Sequence, residues 1–168
     1  MGAQTPSERL AHAWRSAAEA AASRPAPAYP VGVGWATVEM DRAIVELANA
    51  LGLPVDTGAF RVAPRSIALG CACRVAAGSL SGGGLLLVLE PDTEGRLAES
   101  LARHGEGPAA IWLEPEARAN VREAPRAPEF TVPAGWPGPL GRERLVTRDS
   151  AEGMLLLLVE RPAGTIRP

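Results

Sequence analysis

LLLVLE (Leu85–Glu90) and LLLLVE (Leu155–Glu160) are nearly the same strand written twice, once in each half of the chain. Successive side chains on a strand point to opposite faces, and in both copies every residue before the final Glu is apolar. A strand with no polar face is covered on both sides. GGG (Gly82–Gly84) turns the chain into the first copy, and EGM (Glu152–Met154) leads into the second.

Working outward from these strands, the same order of elements precedes each. VGVGWATVE (Val31–Glu39) reads as a strand. Asp41 to Leu51 places Ile44, Leu47, Ala48 and Leu51 on one helical face and stops at Gly52 and Pro54. Arg61–Ala77 holds one or two strands around IALGCACRV, and LLLVLE follows. Leu97–His104 is a helical stretch and GEG a loop. Then AAIWLE (Ala109–Glu114), a helix from about Pro115 to Ala124, a Pro/Gly/Trp-rich loop (Pro133–Gly141), RERLVTRD and LLLLVE repeat the pattern. The fold class expected is α+β: two tandem βαβββ modules, at about 31–104 and 105–161, within one domain over 31–168. Residues 1–30 read as an appended arm. Thr5 is the N-cap, Pro6 the first helical residue and Glu8 the return half of a capping box. Leu10, Trp14, Ala17, Ala18 and Ala21 form one stripe that packs on the body or on a partner subunit, and RPAPAYP (Arg24–Pro30) is an extended linker.

All seventeen basic residues are arginine, so lysine Schiff-base chemistry is excluded. The net charge is −2, with both signs interspersed and no basic stripe, which argues against nucleic acid as a partner. No apolar run approaches the roughly 20 residues of a membrane span, and MGAQTPSERL lacks the regions of a signal peptide. The expectation is a cytoplasmic protein with no membrane partner. Cys71 and Cys73 share a strand face and read as reduced thiols rather than as a disulfide or a metal motif.

GVGWATVEMDRA (Gly32–Ala43), LLLVLEPDTEGRLAESLARHGEGPAAIWLE (Leu85–Glu114) and GMLLLLVER (Gly153–Arg161), in that order, resemble the vicinal oxygen chelate superfamily of glyoxalase, bleomycin-resistance and methylmalonyl-CoA epimerase relatives. The resemblance spans roughly residues 31–161 and is weak over Leu53–Ser81. It implies a cupped half-barrel with the two leucine strands on its inner wall, and a divalent metal held by side chains from the first and last strand of each module. Those positions fall on Gly32, Leu87, Ala110 and Leu157, none of which offers a donor atom. No metal and no other cofactor is therefore expected. The epimerases' proton-transfer carboxylate has no counterpart from Arg61 to Leu89, a stretch without acidic residues.

Alternation from the former ligand positions turns Gly32, Gly34, Leu87, Ala110, Trp112, Leu155 and Leu157 into the cup. The expectation is an apolar ligand cavity; the alternative is that the leucines meet and fill the cup as core. Glu114, on the same face near the rim, is the acid–base candidate or else a solvated helix cap, and Cys73 is a nucleophile candidate or else a buried inert thiol. Arg61, Arg65 and Arg74 are candidates for an anionic group on the ligand, or else a charged sheet edge. Trp136, in PAGWPGPL, lies on a lid over the cup or on a rigid connection, and His12 and His104 read as surface residues. The function expected is a metal-independent isomerase, cyclase or lyase of bacterial secondary metabolism. It would act on a hydrophobic small molecule carrying an anionic group. The alternatives are a resistance-type protein that sequesters such a compound, and a subunit whose cup is only structural. A homodimer is expected.

Overall fold

In the computed structural model, which describes residues 4–54, 58–76, 78, 80, 83–116, 135–146 and 153–161, both leucine strands sit inside one curved sheet. The elements run α1 (Pro6–Ala22), β1 (Ala28–Ala36), α2 (Met40–Leu51), β2 (Phe60–Ser66), β3 (Cys71–Ala76), β4 (Leu85–Pro91), α3 (Arg96–His104), β5 (Gly107–Pro115), β6 (Trp136–Gly138), β7 (Gly141–Val146) and β8 (Leu155–Glu160). The sheet order is β2-β3-β4-β1-β5-β8-β7-β6. Each leucine strand pairs in parallel with the first strand of its own module, Gly32 opposite Leu85 and Ala110 opposite Leu155, and the modules join where β1 and β5 run antiparallel. The helix expected in the second module lies outside the described residues from 117 onward.

The doubled strand is thereby explained. Leu86, Val88, Leu156 and Leu158 face a layer that contains α1 and α2, while Leu87, Leu89, Leu157 and Val159 face the inside of the cup. Each fully buried leucine contributes roughly 1.5–3 kcal/mol relative to an exposed one.

The N-terminal helix is present, and its stripe packs on the body, one of the two places expected for it: Leu10, Ala13, Ala17 and Ala21 are buried in the cluster that holds Val33 and Ile111. Small residues on this face let the helix lie close to β1 and β5, and Trp14 packs over Gly84, where a Cβ would collide with its ring. The Arg9 guanidinium stacks 4.9 Å from the Trp35 ring centroid. The supposed linker is in turn already strand from Ala28, because Tyr29 and Pro30 pair with Glu114 and Leu113. The capping box is present as read, with Thr5 N–H donating to Glu8 Oε2 at 2.8 Å and Glu8 N–H to Thr5 Oγ1 at 3.3 Å.

Acidic side chains from neighbouring elements hold the start of α2. Met40 N–H donates to Glu90 Oε2 at 2.8 Å, and Arg42 forks onto both Glu106 oxygens at 2.7 Å. Thr37 Oγ1 and the Val38 N–H also donate to Glu106, which is held at a pKa of about 2, chiefly by its hydrogen bonds from Arg42. Among the described residues no helix is long and apolar enough to cross a membrane.

Candidate functional site

The four former ligand positions come together on adjacent strands of the cup, as the resemblance implies, and the space above them is occupied. Leu87, Leu89, Ala110, Trp112 and Leu157 are each 0 % exposed. A side chain that no water-sized probe touches does not line a cavity, so the expectation of an open apolar cup is corrected here in favour of the filled core. The glycines explain how. A Cβ on Gly34 would stand 2.5 Å from Leu89 Cδ1 and 2.8 Å from Trp112 Cζ3, and one on Gly32 2.8 Å from Leu87 Cδ1. The small residues on β1 make room for large ones on β4 and β5. The divalent ion implied by the fold does not fit: the positions carry no donor, and leucine and indole carbons take its volume. Among the described residues no cluster of three or more His, Cys, Asp or Glu side chains is arranged to hold one.

A polar clasp crosses this core. Glu143 on β7 is 0 % exposed; Ser66 Oγ donates to its Oε2 and Trp112 Nε1 to its Oε1, both at 2.7 Å. Burial pushes the Glu143 carboxyl above the ordinary carboxylate range, and the two donors oppose that shift. Beside the clasp, Ile67 N–H donates to Pro137 O at 3.3 Å, so the two outer strands of the sheet meet and the cup approaches a closed barrel. Sequence reading missed Glu143 and Ser66. Glu143 is in phase with Leu145, which faces the cup, and that alternation was the available signal.

The other candidates are dispersed. Cys73 is 3 % exposed, with its sulfur 3.8 Å from Cys71 Sγ; the contact with Cys73 and burial together push the Cys71 thiol far above the usual thiol range. The Cys73 thiol is in turn lowered by the hydrogen bond from Cys71, against the opposing effect of burial, but at that burial its sulfur is out of a substrate's reach. Arg65 is paired with Asp92, and the register sets Arg74 beside Val88 on the helix side of the sheet but Arg61 beside Val75 in the row of Leu87, so the three arginines do not share one face. Trp136 is 44 % exposed on β6, which pairs with β7 as part of the sheet rather than as a lid. Leu155 lines a groove of about 240 Å³ on the α3 side with Arg96, Ser100 and His104.

Glu114 stands where alternation put it, at the end of the cup-facing row Ala110–Trp112–Glu114. Cross-strand rows grow more polar toward that end. Leu145, Leu157 and Trp112 form one row. Glu143 pairs with Val159, and one further step of the β5–β8 register adds Glu114. Arg161 continues the β8 face beyond Val159. Its side chain is 7 % exposed and that of Glu114 20 %, with Arg161 Nε 3.6 Å from Glu114 Oε2. That distance makes an ion pair but no hydrogen bond, and Arg161 Nε and Nη2 are buried without a hydrogen-bond partner. Arg161 was also missed, although it shares the odd-numbered phase of Leu155, Leu157 and Val159. This corner sets a carboxylate beside a fixed positive charge at the edge of an apolar core.

No protein-family model and no curated protein matches the chain. Solved structures do. A variant of Streptomyces coelicolor methylmalonyl-CoA epimerase, in complex with 2-nitronate-propionyl-CoA, superposes with a TM-score of 0.54 at 20 % identity, covering 80 % of this chain and 97 % of that one. A hypothetical protein from Bacillus halodurans gives 0.53 at 15 % identity over 83 % and 99 %. The Mycobacterium tuberculosis methylmalonyl-CoA epimerase gives 0.50 at 19 % over 79 % and 87 %. At such identities the likeness is one of fold. The eight-stranded sheet, its module order and these neighbours agree: the chain has the vicinal oxygen chelate fold.

Proposed function

We propose that this protein is a metal-independent, isomerase-type enzyme of the vicinal oxygen chelate fold, acting on a small molecule at the β5/β8 end of the cup with Glu114 as its acid–base group. The observation that carries the reading is the Glu114–Arg161 corner. A carboxylate one-fifth exposed lies 3.6 Å from a buried guanidinium, beyond a cup whose metal positions are filled by carbon. A carboxylate can take a proton from a carbon next to a carbonyl and return it to the other face, with no net change in electrons. The negative charge that develops on the carbonyl oxygen needs a positive partner, and Arg161 supplies that charge where no ion is held. On this reading the substrate expected from sequence, a hydrophobic compound with an anionic group such as a secondary metabolite, binds at this end rather than inside the cup. The homodimer is part of the same proposal: light scattering is expected to give twice the chain mass, and a monomer would withdraw it.

The test is exchange of the substrate's α-proton in D2O with excess EDTA present. The compounds are methylmalonyl-CoA, the ligand named for one solved neighbour, and 2-substituted 1,3-dicarbonyl acids. Exchange that Glu114→Gln lowers at least a hundredfold, while binding is kept, is the expected result. Exchange that requires an added divalent ion, or that ignores Glu114→Gln, contradicts it. Binding without exchange would instead favour a sequestering protein.

A further inference from the structure

We propose that the groove between α3 and the start of β8 is a second small-molecule site, which takes the phosphate group of a phosphomonoester. It lies at the far end of the cup from Glu114. Leu155, on its wall, stands four residues before Val159 on the same strand, roughly 13 Å at about 3.3 Å per residue. Between the two ends Trp112 and Leu157 are fully buried, so a ligand in the groove does not reach Glu114 through the cup. The inference therefore stands apart from the proposed function and goes beyond it.

Four observations carry it. The first is room: the groove offers about 240 Å³, far more than the roughly 10–15 Å³ that admits a single water. The second is the donor set. Arg96, Ser100 and Arg103 all line the groove and stand at i, i+4 and i+7 of α3, which puts them on one face of the helix. The Ser100 hydroxyl is thus flanked by a guanidinium one turn away on either side, and His104 adds an imidazole at the helix end. The third is the charge that remains. Glu99 is the one acid among the described lining residues, and Arg103 pairs with it across one turn. Arg96 makes no ion pair with any described residue, so the groove keeps an uncompensated positive charge. The fourth is Gly153, at φ +84°. A Cβ there would stand 3.7 Å from both Cε1 and Nε2 of His104, so a longer side chain would lie across the donor edge of the imidazole, and glycine leaves that edge uncovered.

Donors arriving from the two arginines, the serine and the histidine suit the tetrahedral oxygens of a phosphate better than the two coplanar oxygens of a carboxylate. The exposed Arg103–Glu99 pair is of a kind that contributes little, so Arg103 exchanges it readily for a doubly charged anion beside Ser100. Leu155 gives the groove its apolar wall, where the uncharged remainder of the ester rests.

The experiment follows the amide shifts of the full, 15N-labelled chain while phenyl phosphate and, in a separate arm, inorganic phosphate are added at constant ionic strength; chloride and acetate are the controls. Saturable shifts at Ser100, His104 and Gly153 with both phosphates, and not with either control, are the expected result. Arg96→Gln should weaken phosphate binding at least fivefold, and Glu99→Gln, which removes the opposing charge, should tighten it at least twofold. Arg103→Gln, which also leaves Glu99 unpaired, should weaken it too and serves if the Arg96 variant does not fold. Glu114→Gln should leave the affinity unchanged. Shifts that never saturate, equal binding of acetate, full affinity in both arginine variants, or loss of binding in Glu114→Gln overturns the inference. Because the two sites lie at opposite ends of the cup, phosphate binding without proton exchange contradicts the proposed function alone, and exchange without phosphate binding contradicts this site alone.

Discussion

Gly34 sits beneath Leu89 and Trp112, and that single absent side chain lets two large ones interdigitate across three strands. Overpacking a filled core destabilises by roughly 1–3 kcal/mol. Gly34→Ala is therefore expected to lower stability by about that amount in urea unfolding; an unchanged midpoint would mean that the space above β1 is open. Glu143 makes a second prediction. Burial raises its folded-state pKa above the unfolded value, so its contribution to stability is fully present below the unfolded pKa and is lost as pH rises through the folded one. Glu143→Gln does not titrate, and its urea midpoint relative to wild type should rise as pH rises above the ordinary carboxylate range. A constant difference as pH rises would show that burial does not disfavour the charged carboxylate. Neither residue announced its role in the sequence. A glycine on a strand reads as room for a ligand as readily as room for a neighbour. The partners of Glu143 are Ser66 on β2 and Trp112 on β5, at separations no local pattern reaches.

At the scale of elements, what was legible was what is local. Alternation assigned both faces of β4 and β8, and the Thr5–Glu8 capping box set the start of α1, because each depends on residues within one turn or one strand. The placement of α1 was not legible in the same way. An alanine-rich stripe is compatible with solvent, a partner or the protein's own sheet; the fit of Trp14 over Gly84 decides for the sheet. α2 adds a test. Glu106, tied to Arg42, Thr37 and Val38, has a folded-state pKa of about 2, below its unfolded value. Its contribution is therefore present above the unfolded pKa and is lost as pH falls toward about 2. Wild type should exceed Glu106→Gln in stability by a constant margin near neutral pH, and that margin should shrink below about pH 4.3. A margin that stays level under acid would show that the ion pair is not what holds the start of α2.

For the molecule as a whole, the repeated βαβββ order and the cupped sheet were readable from the sequence, and the state of the cup was not. The loss of all four ligand side chains is equally consistent with an empty cavity and a packed one. Only the non-local register that sets Gly34 against Leu87 and Ala110, and Trp112 against Gly32 and Leu157, distinguishes them. With Glu143 clasped by Ser66 and Trp112, the interior serves stability, and the chemistry proposed for this protein is assigned to the corner at Glu114 and Arg161. That division is tested most directly by plasma mass spectrometry of untagged protein, first dialysed against cobalt and then freed of unbound ion. The account predicts far less than one metal ion per chain; one tightly held ion per chain, removable only by a chelator, would contradict it.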